Sequence, residues 1–596
     1  MPPALPIDPV LPALRDALRE HPAAVLQAPP GAGKTTRVPL ALLDEPWLAG
    51  KKLVMLEPRR LATRAAARRM AATLGERVGE TVGYRVRLDT RVSRRTRIEV
   101  VTEGVLTRML QSDPSLDGVG AVVFDEFHER NLPSDLGLAL ALEAQEALRP
   151  DLRLLVMSAT LDGARVAALL DDAPLLTSEG RAFPVETHYL ERTPEGRIEG
   201  PAAQAVRRAL AEEPAGDVLV FLPGAGEIRR TAEALEGLPP GVEVHALYGN
   251  LPAEAQDRAV APAPDGQCKV VLATDIAETS LTIEGVRVVV DGGLARKPRF
   301  DVGSGMERLE TVRVSKASAD QRRGRAGRLG PGTCYRLWTA FEHGHLADFA
   351  PPEIVQADLA PLALELAAWG VQGPAGLRWL DPPPEAPFQQ ARALLRELGA
   401  LDAGGAITPH GREMARLALH PRLAHLVLRG RQLGLGATAC DLAALLSERD
   451  LLRSAGPTPP PADLRLRLDA LRRGGGVHGA EVHRGALHRV RQQADQYRRQ
   501  LSVARDERDA EAAGLLLALA YPDRIAQRRA GQEGRFRLRS GQAAAFPSPQ
   551  LLSTSDFLVA AHLDGRRAEA RIFLAAPVTQ EELETHFGDQ IEEADV

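Results

Sequence analysis

The chain has 596 residues, with 74 Lys and Arg against 79 Asp and Glu, so its formal net charge at pH 7 is -5. A protein that simply coats nucleic acid is usually strongly basic, and this balance argues against that class. The length predicts about four domains, and a hydrophobic fraction of 44% is that of an ordinary globular chain. No apolar run approaches the roughly 20 residues that cross a bilayer, so we expect no membrane span.

The N-terminus and the cysteines indicate a compartment. Met1–Val10 contains prolines and an aspartate where a signal peptide has a basic start and an apolar stretch. Cys268, Cys334 and Cys440 are too scattered for a metal clip or a disulfide framework, and we expect them to be small buried side chains. We therefore expect a cytoplasmic protein.

Short strand-type runs alternate with helical segments rich in Ala, Leu and Arg from residue 22 to residue 178. Several runs are apolar throughout, which is typical of parallel strands covered by helices on both faces. The runs are Val25–Gln27, Lys52–Leu56, Ile98–Val101, Ala121–Phe124 and Leu152–Met157. A second set consists of Asp217–Leu222, Val242–Ala246, Lys269–Ala273 and Val286–Asp291. The pattern predicts two α/β lobes in tandem.

Helical patterns with proline-rich interruptions dominate beyond about His345, and alternation returns in three runs near the C-terminus. These runs, Arg535–Arg539, Phe557–Ala561 and Ala568–Leu574, predict a small β domain. The final segment, Gln580–Val596, has seven acids and no Lys or Arg, which leaves the other 579 residues at a net charge of +2.

The string Ala-Pro-Pro-Gly-Ala-Gly-Lys-Thr at residues 28–35 follows an apolar strand and opens a helix. Glycines allow backbone N–H groups to approach a polyphosphate, Lys34 would reach the β and γ phosphates of ATP, and Thr35 would bind Mg²⁺. The nucleotide-contact set is Gly31, Ala32, Gly33, Lys34, Thr35 and Thr36. Ala28 stands where the P-loop pattern has its first glycine, and the alternative is a glycine-rich turn without a ligand.

Asp125-Glu126-Phe127-His128 directly follows the apolar run Ala121–Phe124. A carboxylate at the end of a buried strand beside the P-loop strand can hold Mg²⁺, partly through water, and its neighbour can activate the attacking water. We expect Asp125 to be the metal ligand, Glu126 the base and His128 a further catalytic residue. The alternative is an acidic turn that caps a strand.

Gln321–Arg328 contains four arginines spaced by glycines, a cationic edge suited to phosphate. We expect Arg325 and Arg328 to reach across from the second lobe as arginine fingers, and Gln321 to position water. For Arg322 and Arg323 a surface role is a serious alternative.

Local charge modifies the meaning of the total. Arg85–Arg97 holds six arginines and one acid, and Arg313–Arg328 holds six basic residues and one acid. These two segments favour phosphate contact. Residues 451–500 hold ten arginines and four acids, for which solvated helix faces are an equal alternative. We expect positive potential along the two lobes, with the acidic end away from it or disordered, and aromatics at 4% disfavour a base-stacking platform.

Together these strings resemble, in order, the motifs of the DEAH/RHA branch of the superfamily 2 helicases. Besides the P-loop, Asp125–His128 and Gln321–Arg328, the matching strings are Glu57–Arg60, Thr102–Gly104, Ser158–Thr160, Phe221–Gly224 and Thr274–Ile283, similar to motifs Ia, Ib, III, IV and V. Asp275 stands where many members have Asn. Pro522–Ala526 and the Asp-Glu-Phe-His spelling resemble the bacterial HrpB-type helicases, which usually carry a further C-terminal region that we expect this chain to lack.

The resemblance implies roles for individual residues. RNA-backbone contacts are expected from Arg59, Arg60, Arg87, Thr102, Gly224 and Thr274, and coupling of ATP state to lobe movement from Ser158, Thr160, Ser280 and Thr282. Adenine would stack on Arg69, but Val260 stands where the family has its second, aromatic partner, so base discrimination is expected to be loose. Arg299–Leu309 reads as a hairpin, which in the family helps to separate strands.

The resemblance also implies an architecture. We expect RecA-like domain 1 at residues 1–178, RecA-like domain 2 at 179–345, a winged helix at 346–412, a ratchet-like helical bundle at 413–524, an OB-like β domain at 525–579 and an acidic tail at 580–596.

The expected function is that of a monomeric ATP- and Mg²⁺-dependent RNA helicase that moves 3′ to 5′ on single-stranded RNA and unwinds tailed duplexes. A DNA helicase is the nearest alternative, because backbone contacts alone discriminate poorly between RNA and DNA. An ATP-gated RNA clamp or ribonucleoprotein remodeller is the alternative of another class. A pure RNA-binding module would require vestigial catalytic residues.

Overall fold

The computed structural model describes residues 5–86, 89–159, 163–179, 183–212, 216–249, 251–264, 266–278, 283–301, 306–328, 330–454, 459–476, 480–504, 509–564 and 569–591. The chain forms two compact units. The first comprises Met1–Pro298, Leu309–Ala357 and Ala375–Pro382, and the second comprises Arg299–Arg308, Asp358–Pro374 and Pro383–Val596. In the part of the chain that the structure describes, no helix has the length and apolarity needed to cross a membrane.

The first lobe is an eight-stranded sheet flanked by helices. Its strands are β1 (Ala23–Gln27), β2 (Lys52–Leu56), β3 (Val82–Val86), β4 (Asp89–Arg91), β5 (Ile98–Val101), β6 (Val119–Phe124), β7 (Arg153–Ser158) and β8 (Leu175–Thr177). Their order is β4-β3-β5-β2-β6-β7-β1-β8, and all neighbours are parallel except β3 and β4. The helices are α1 (Leu11–Glu20), α2 (Lys34–Leu42), α3 (Arg60–Thr73), α4 (Glu103–Ser112), α5 (Leu132–Ala147) and α6 (Gly163–Leu169).

The position of β7 corrects one expectation. β6, which precedes Asp125, does not lie beside the P-loop strand β1, because β7 is inserted between them. The parallel register pairs Gln27 with Ser158 and Phe124 with Val156, so the three strands still end at one edge of the sheet. Long side chains, rather than neighbouring backbones, therefore have to bring the two motifs together.

The second lobe repeats the architecture with a six-stranded parallel sheet. Its strands are β9 (Val185–Tyr189), β10 (Asp217–Phe221), β11 (Val242–Leu247), β12 (Cys268–Ala273), β13 (Val286–Asp291) and β16 (Gly332–Arg336), in the order β11-β12-β10-β13-β16-β9. β14 (Leu294–Asp301) and β15 (Met306–Arg313) form a separate ribbon that matches the expected hairpin, whose Gly-Ser-Gly turn lies outside the described residues. The helices are α7 (Glu199–Glu212), α8 (Ala225–Ala234), α9 (Ala253–Val260), α10 (Lys316–Arg323) and α11 (Ala340–Gly344).

The second unit is mainly helical and ends in a closed barrel. Its helices are α12 (Ala360–Trp369), α13 (Glu385–Glu397), α14 (Pro409–Arg416), α15 (Pro421–Gln432), α16 (Gly436–Ser447), α17 (Leu464–Arg473), α18 (Arg484–Leu501), α19 (Ala513–Ala520) and α20 (Gln580–Phe587). A two-stranded ribbon joins β17 (Leu452–Ser454) to β18 (Ala480–Val482). The barrel consists of β19 (Ile525–Arg528), β20 (Arg535–Leu538), β21 (Ala543–Ala545), β22 (Phe557–Leu563) and β23 (Ala570–Pro577). The acidic segment begins as helix α20, which Thr579 caps with a capping box.

Several arginines of residues 451–500 neutralise carboxylates inside the helical bundle. Asp441 on α16 is fully buried and pairs with Arg498 and, at 3.4 Å, with Arg472. Asp450 accepts a 2.6 Å bond from Nη2 of Arg467. A buried carboxylate needs such partners because its desolvation is costly. This part of the arginine excess is therefore structural, which neither sequence alternative anticipated.

Replacing Asp441 should destabilise the bundle. Asp441→Ala leaves Arg498 and Arg472 without their shared counterion, a change that costs about 3 kcal/mol or more when the remaining charge is buried. Hydrogen exchange should show lost protection in α16 and α18. Asp469→Ala removes an exposed 3.8 Å pair with Arg473 and serves as the control. Equal protection in the two variants would contradict this account.

Candidate functional site

The P-loop joins β1 to α2, and two of its glycines are required by its backbone. Gly31 and Gly33 have φ values of 87° and 97°, in the left-handed region that glycine adopts without strain. A Cβ on Gly33 would lie 2.6 Å from Cδ1 of Leu5. Ala28 needs no such freedom: it is buried and has no positive φ, and its N–H donates to the carbonyl of Ser158 at 2.9 Å. The missing first glycine is thus compatible with the loop.

Lys34 and Thr35 open α2 and reach the carboxylates that follow β6. Nζ of Lys34 lies 2.7 Å from Oε1 of Glu126 and 3.9 Å from Oδ1 of Asp125. Oγ1 of Thr35 donates to Oδ2 of Asp125 at 2.5 Å. Glu126 adopts φ 51°, which costs energy for a residue other than glycine and is often associated with function. The structure therefore brings together both motifs, as the sequence predicts.

Negative charge exceeds positive charge around Lys34. Burial, Asp125 and Glu126 raise the pKa of Glu57 well above its usual value. Burial alone would raise the pKa of Glu126, but Lys34 and His128 outweigh it and lower that pKa to about 2. Glu57 is a member of this cluster that sequence reasoning placed only in motif Ia.

The same cluster fits Mg²⁺. Oγ1 of Thr35 and Oδ2 of Asp125 converge as hard oxygen donors, which Mg²⁺ prefers, and three buried carboxyl groups face one lysine. Oε2 of Glu126 is buried and accepts no hydrogen bond from the described residues. A divalent cation with its waters would satisfy this arrangement, with Thr35 and Asp125 as its protein ligands.

His128 links the acidic motif to motif III. The backbone N–H of Ala159 donates to Nδ1 of His128 at 3.2 Å, so Nδ1 carries no proton. Nε2 of the same ring lies 3.3 Å from Oε2 of Glu126. Burial lowers the pKa of His128, which keeps the imidazole neutral with its proton on Nε2, toward Glu126. Ser158 is buried at the end of β7, directly before Ala159.

Arg325 and Arg328 come from the second lobe and approach the first. A Cβ on Gly31 would lie 3.9 Å from Nε of Arg328, so this arginine lies over the P-loop. Arg325 donates to the carbonyl of Glu278 at 2.9 Å, and Glu126 interacts electrostatically with both guanidinium groups. Burial lowers the pKa of Arg325 well below its usual value and lowers that of Arg328 to about 10. Buried, incompletely neutralised arginines are suited to bind phosphate.

Arg322 has a different position from its neighbours in the same motif. Its guanidinium pairs at 2.9 Å with both Glu278 and Asp291 and lies 4.8 Å from the ring centre of Phe221. These contacts lie within the second lobe, so Arg322 is a structural residue. Arg323 is partly exposed, 3.6 Å from Asp320, and Gln321 lies half-buried in the last turn of α10.

Arg59 of motif Ia connects the lobes. Its Nη1 donates to the carbonyls of Asp275 and Ile276 at 3.3 and 3.0 Å, and its Nη2 contacts Glu129 at 3.3 Å. The sequence predicts an RNA contact for Arg59, and the structure adds a contact with motif V. Arg60 is exposed at the start of α3.

The other expected RNA contacts follow parallel strands. Thr102 follows β5, Thr274 follows β12, and Gly224 lies two residues beyond Leu222 at the end of β10. The carboxyl ends of parallel strands share one edge of a sheet, the usual ligand side in α/β proteins. Arg69 is exposed on α3 and Val260 is half-buried at the end of α9, so the adenine contacts stay a prediction. Arg87, Thr160, Ser280 and Thr282 lie outside the described residues.

Comparisons with known proteins agree on one family. Residues 11–169 match the DEAD/DEAH box helicase model, residues 202–330 the helicase conserved C-terminal domain and residues 391–419 the winged-helix helicase-associated domain HA2. The ATP-dependent RNA helicase HrpB of Escherichia coli (strain K12) is 44% identical over 99% of this chain and 70% of its own length. The chain belongs to the DEAH/RHA helicases.

Further similarities extend this placement. The crystal structure of the E. coli DExH-box NTPase HrpB matches with a TM-score of 0.85 at 44% identity, over 99% of this chain and 70% of that one. The pre-mRNA-splicing factor ATP-dependent RNA helicase prp22 of Schizosaccharomyces pombe (strain 972 / ATCC 24843) is 38% identical over 72% of this chain and 38% of its own length. These findings confirm the predicted tandem RecA-like lobes and accessory domains and the HrpB-type resemblance.

A carboxylate cluster in this DEAH/RHA chain escaped sequence reasoning. Oε1 of Glu103, in motif Ib, accepts a 3.3 Å bond from Ser134, and Oε2 of Glu353 accepts a 2.8 Å bond from the N–H of Leu132. Burial, Glu129 and Glu353 raise the pKa of Glu103 to about 8. Glu353 lies 250 residues beyond Glu103, so no local signal in the sequence connects them.

The raised pKa of Glu103 makes stability depend on pH. The unfolded chain loses this proton near pH 4.5 but the folded chain only near pH 8, so stability falls as pH rises between these values. Glu103→Gln cannot ionise, and its stability advantage should grow by up to about 1.4 kcal/mol per pH unit in that window. Thermal unfolding at pH 5 to 9 measures this, with the exposed Glu20→Gln as control. A pH-independent difference would contradict the assignment.

Proposed function

We propose that this helicase hydrolyses ATP between its two RecA-like lobes and uses the cycle to move 3′ to 5′ along single-stranded RNA and unwind duplexes. The observation that carries the proposal is the meeting of Lys34, Glu126 and Arg328, which come from three distant parts of the sequence and face one another around the P-loop. The names of the relatives, ATP-dependent RNA helicases, support the nucleotide and the nucleic acid.

The residues divide the chemistry as follows. The P-loop backbone and Lys34 hold the phosphates, and Thr35 and Asp125 hold Mg²⁺, which neutralises phosphate charge. When Lys34 turns from Glu126 to the phosphates, Glu126 becomes available to orient the attacking water and accept its proton. Arg325 and Arg328 stabilise the charge that develops on the γ-phosphate, and Gln321 positions water.

Two contacts would transmit this chemistry to RNA. His128 connects Glu126 to Ala159 of motif III, and Arg59 connects the first lobe to the motif V backbone. Closure of the lobes makes the arginine and Arg59 contacts, and reopening breaks them. The RNA backbone would lie along the strand edge that carries Thr102, Gly224 and Thr274, so that each cycle shifts the grip.

We also propose a monomer in the cytoplasm. All three cysteines are free, which suits a reducing compartment. RNA is favoured over DNA by the relatives' names, and unwinding is favoured over an RNA clamp by the β14–β15 ribbon between motifs V and VI.

Glu126→Gln tests the proposal directly. Loss of the general base should lower RNA-stimulated ATP turnover by at least about 100-fold while nucleotide still binds. Turnover is measured with single-stranded RNA, single-stranded DNA and a tailed duplex, and the exposed Glu179→Gln is the matched control. Stimulation by DNA alone would overturn the substrate, turnover without strand displacement would favour the clamp, and normal turnover in Glu126→Gln would refute the base.

Arg328 and Arg322 should separate catalysis from structure. Arg328→Ala should lower turnover by about 10³-fold or more with an unchanged melting temperature, because it removes a finger on the γ-phosphate. Arg322→Ala should lower the free energy of unfolding by about 3 kcal/mol, because it leaves Asp291 and Glu278 without their counterion. Steady-state kinetics and thermal unfolding of both variants measure this. The reverse assignment follows if Arg322→Ala is stable and Arg328→Ala is not.

A further inference from the structure

Two successive cations on β14 face the two motifs of the second lobe that we expect to touch RNA. Nη2 of Arg296 lies 3.3 Å from Oε1 of Glu227, which follows Gly224 on α8. Nζ of Lys297 lies 3.1 Å from Oδ2 of Asp275, directly after Thr274. Successive side chains of a strand point in opposite directions, which allows one strand to reach both motifs.

The two pairs differ in how firmly the cation is held. Glu227 is mostly buried and also binds Arg230 at 3.1 Å, so Arg296 belongs to a small network. The side chains of Lys297 and Asp275 are 51% and 34% exposed. An exposed single pair contributes little to stability, so a competing anion can replace its carboxylate at low cost.

Asp275 is ionised and partly enclosed. Burial would raise its pKa, but Lys297 and Arg59 hold that pKa below its usual value, so the carboxylate is charged at neutral pH. A second anion could not approach Lys297 in its present position without also approaching this carboxylate. The pair is thus a cation already occupied by an anion of the chain, next to Thr274.

We propose that Lys297 is a phosphate-binding residue of the RNA path, and that Asp275 occupies it as an internal substitute for phosphate when RNA is absent. The inference rests on the proposed function and adds to it a residue and a mechanism that weakens RNA binding. RNA must displace Asp275 from Lys297 and then remains next to the displaced carboxylate. Affinity is therefore lower than the lysine alone would provide.

The inference predicts opposite effects for the two partners of one ion pair. Asp275→Asn frees Lys297 and removes a like charge, so it should tighten binding of single-stranded RNA by about fivefold. Lys297→Ala removes the phosphate contact and leaves Asp275 unpaired, so it should weaken binding about fivefold. It should also reduce the slope of log affinity against log salt by about 0.7. A merely structural pair would make both variants weaker or leave both unchanged.

The experiment is fluorescence anisotropy of a labelled single-stranded RNA with the full chain, without nucleotide, over a range of salt concentrations. A single-stranded DNA of the same sequence forms a second arm, because its phosphates share the chemistry. The matched controls are Lys316→Ala and Asp348→Asn, which break another exposed lysine–aspartate pair of the same lobe, 2.9 Å apart. Both controls should bind RNA as the unmodified chain does.

The outcomes separate the two proposals. If the unmodified chain binds neither nucleic acid, the proposed function fails and this inference with it, and binding of DNA alone has the same consequence for RNA as the ligand. If the chain binds RNA but Asp275→Asn binds no more tightly, or Lys297→Ala binds equally well, the inference alone is overturned. Tighter binding by Asp275→Asn cannot result from misfolding, so that variant decides the question even if Lys297→Ala is unstable.

Discussion

The ammonium group of Lys34 is the charge on which the nucleotide site depends. Glu57, Asp125 and Glu126 lie at one buried edge of the first lobe, where ionised carboxylates are costly unless they are paired. Lys34 is the cation placed among them, 2.7 Å from Glu126, and it does not balance them all. The edge is therefore stable enough to fold and still attracts a further cation.

The second lobe carries the complementary imbalance. Arg325 and Arg328 are buried with depressed pKa values, whereas Arg322, between Glu278 and Asp291, is fully neutralised. A polyphosphate with its metal ion has the charges that both faces lack. Burial thus explains why the cleft suits a ligand of mixed charge and why its closure is coupled to ligand binding.

Burial also explains which parts of the prediction succeeded. The strands at Ala121–Phe124 and Asp217–Leu222 were predictable because a strand covered on both faces must be apolar throughout. β3, β9 and β16 were not predicted. The insertion of β7 between β1 and β6 was not predictable either, because strand order depends on how crossovers pack and leaves no mark in either strand.

The sequence by itself determined the local chemistry: the strand–loop–helix around Gly31 and Gly33, the acidic pair after β6 and the order of the motifs, since each depends on residues adjacent in the chain. Only the tertiary structure decided which charges meet. Arg322 and Arg325 are three residues apart in one motif, yet one is held by carboxylates of its own lobe and the other lies near Glu126. The same holds for Glu103 with Glu353 and for Lys297 with Asp275. Electrostatic energy depends on distance and burial, and the fold sets both.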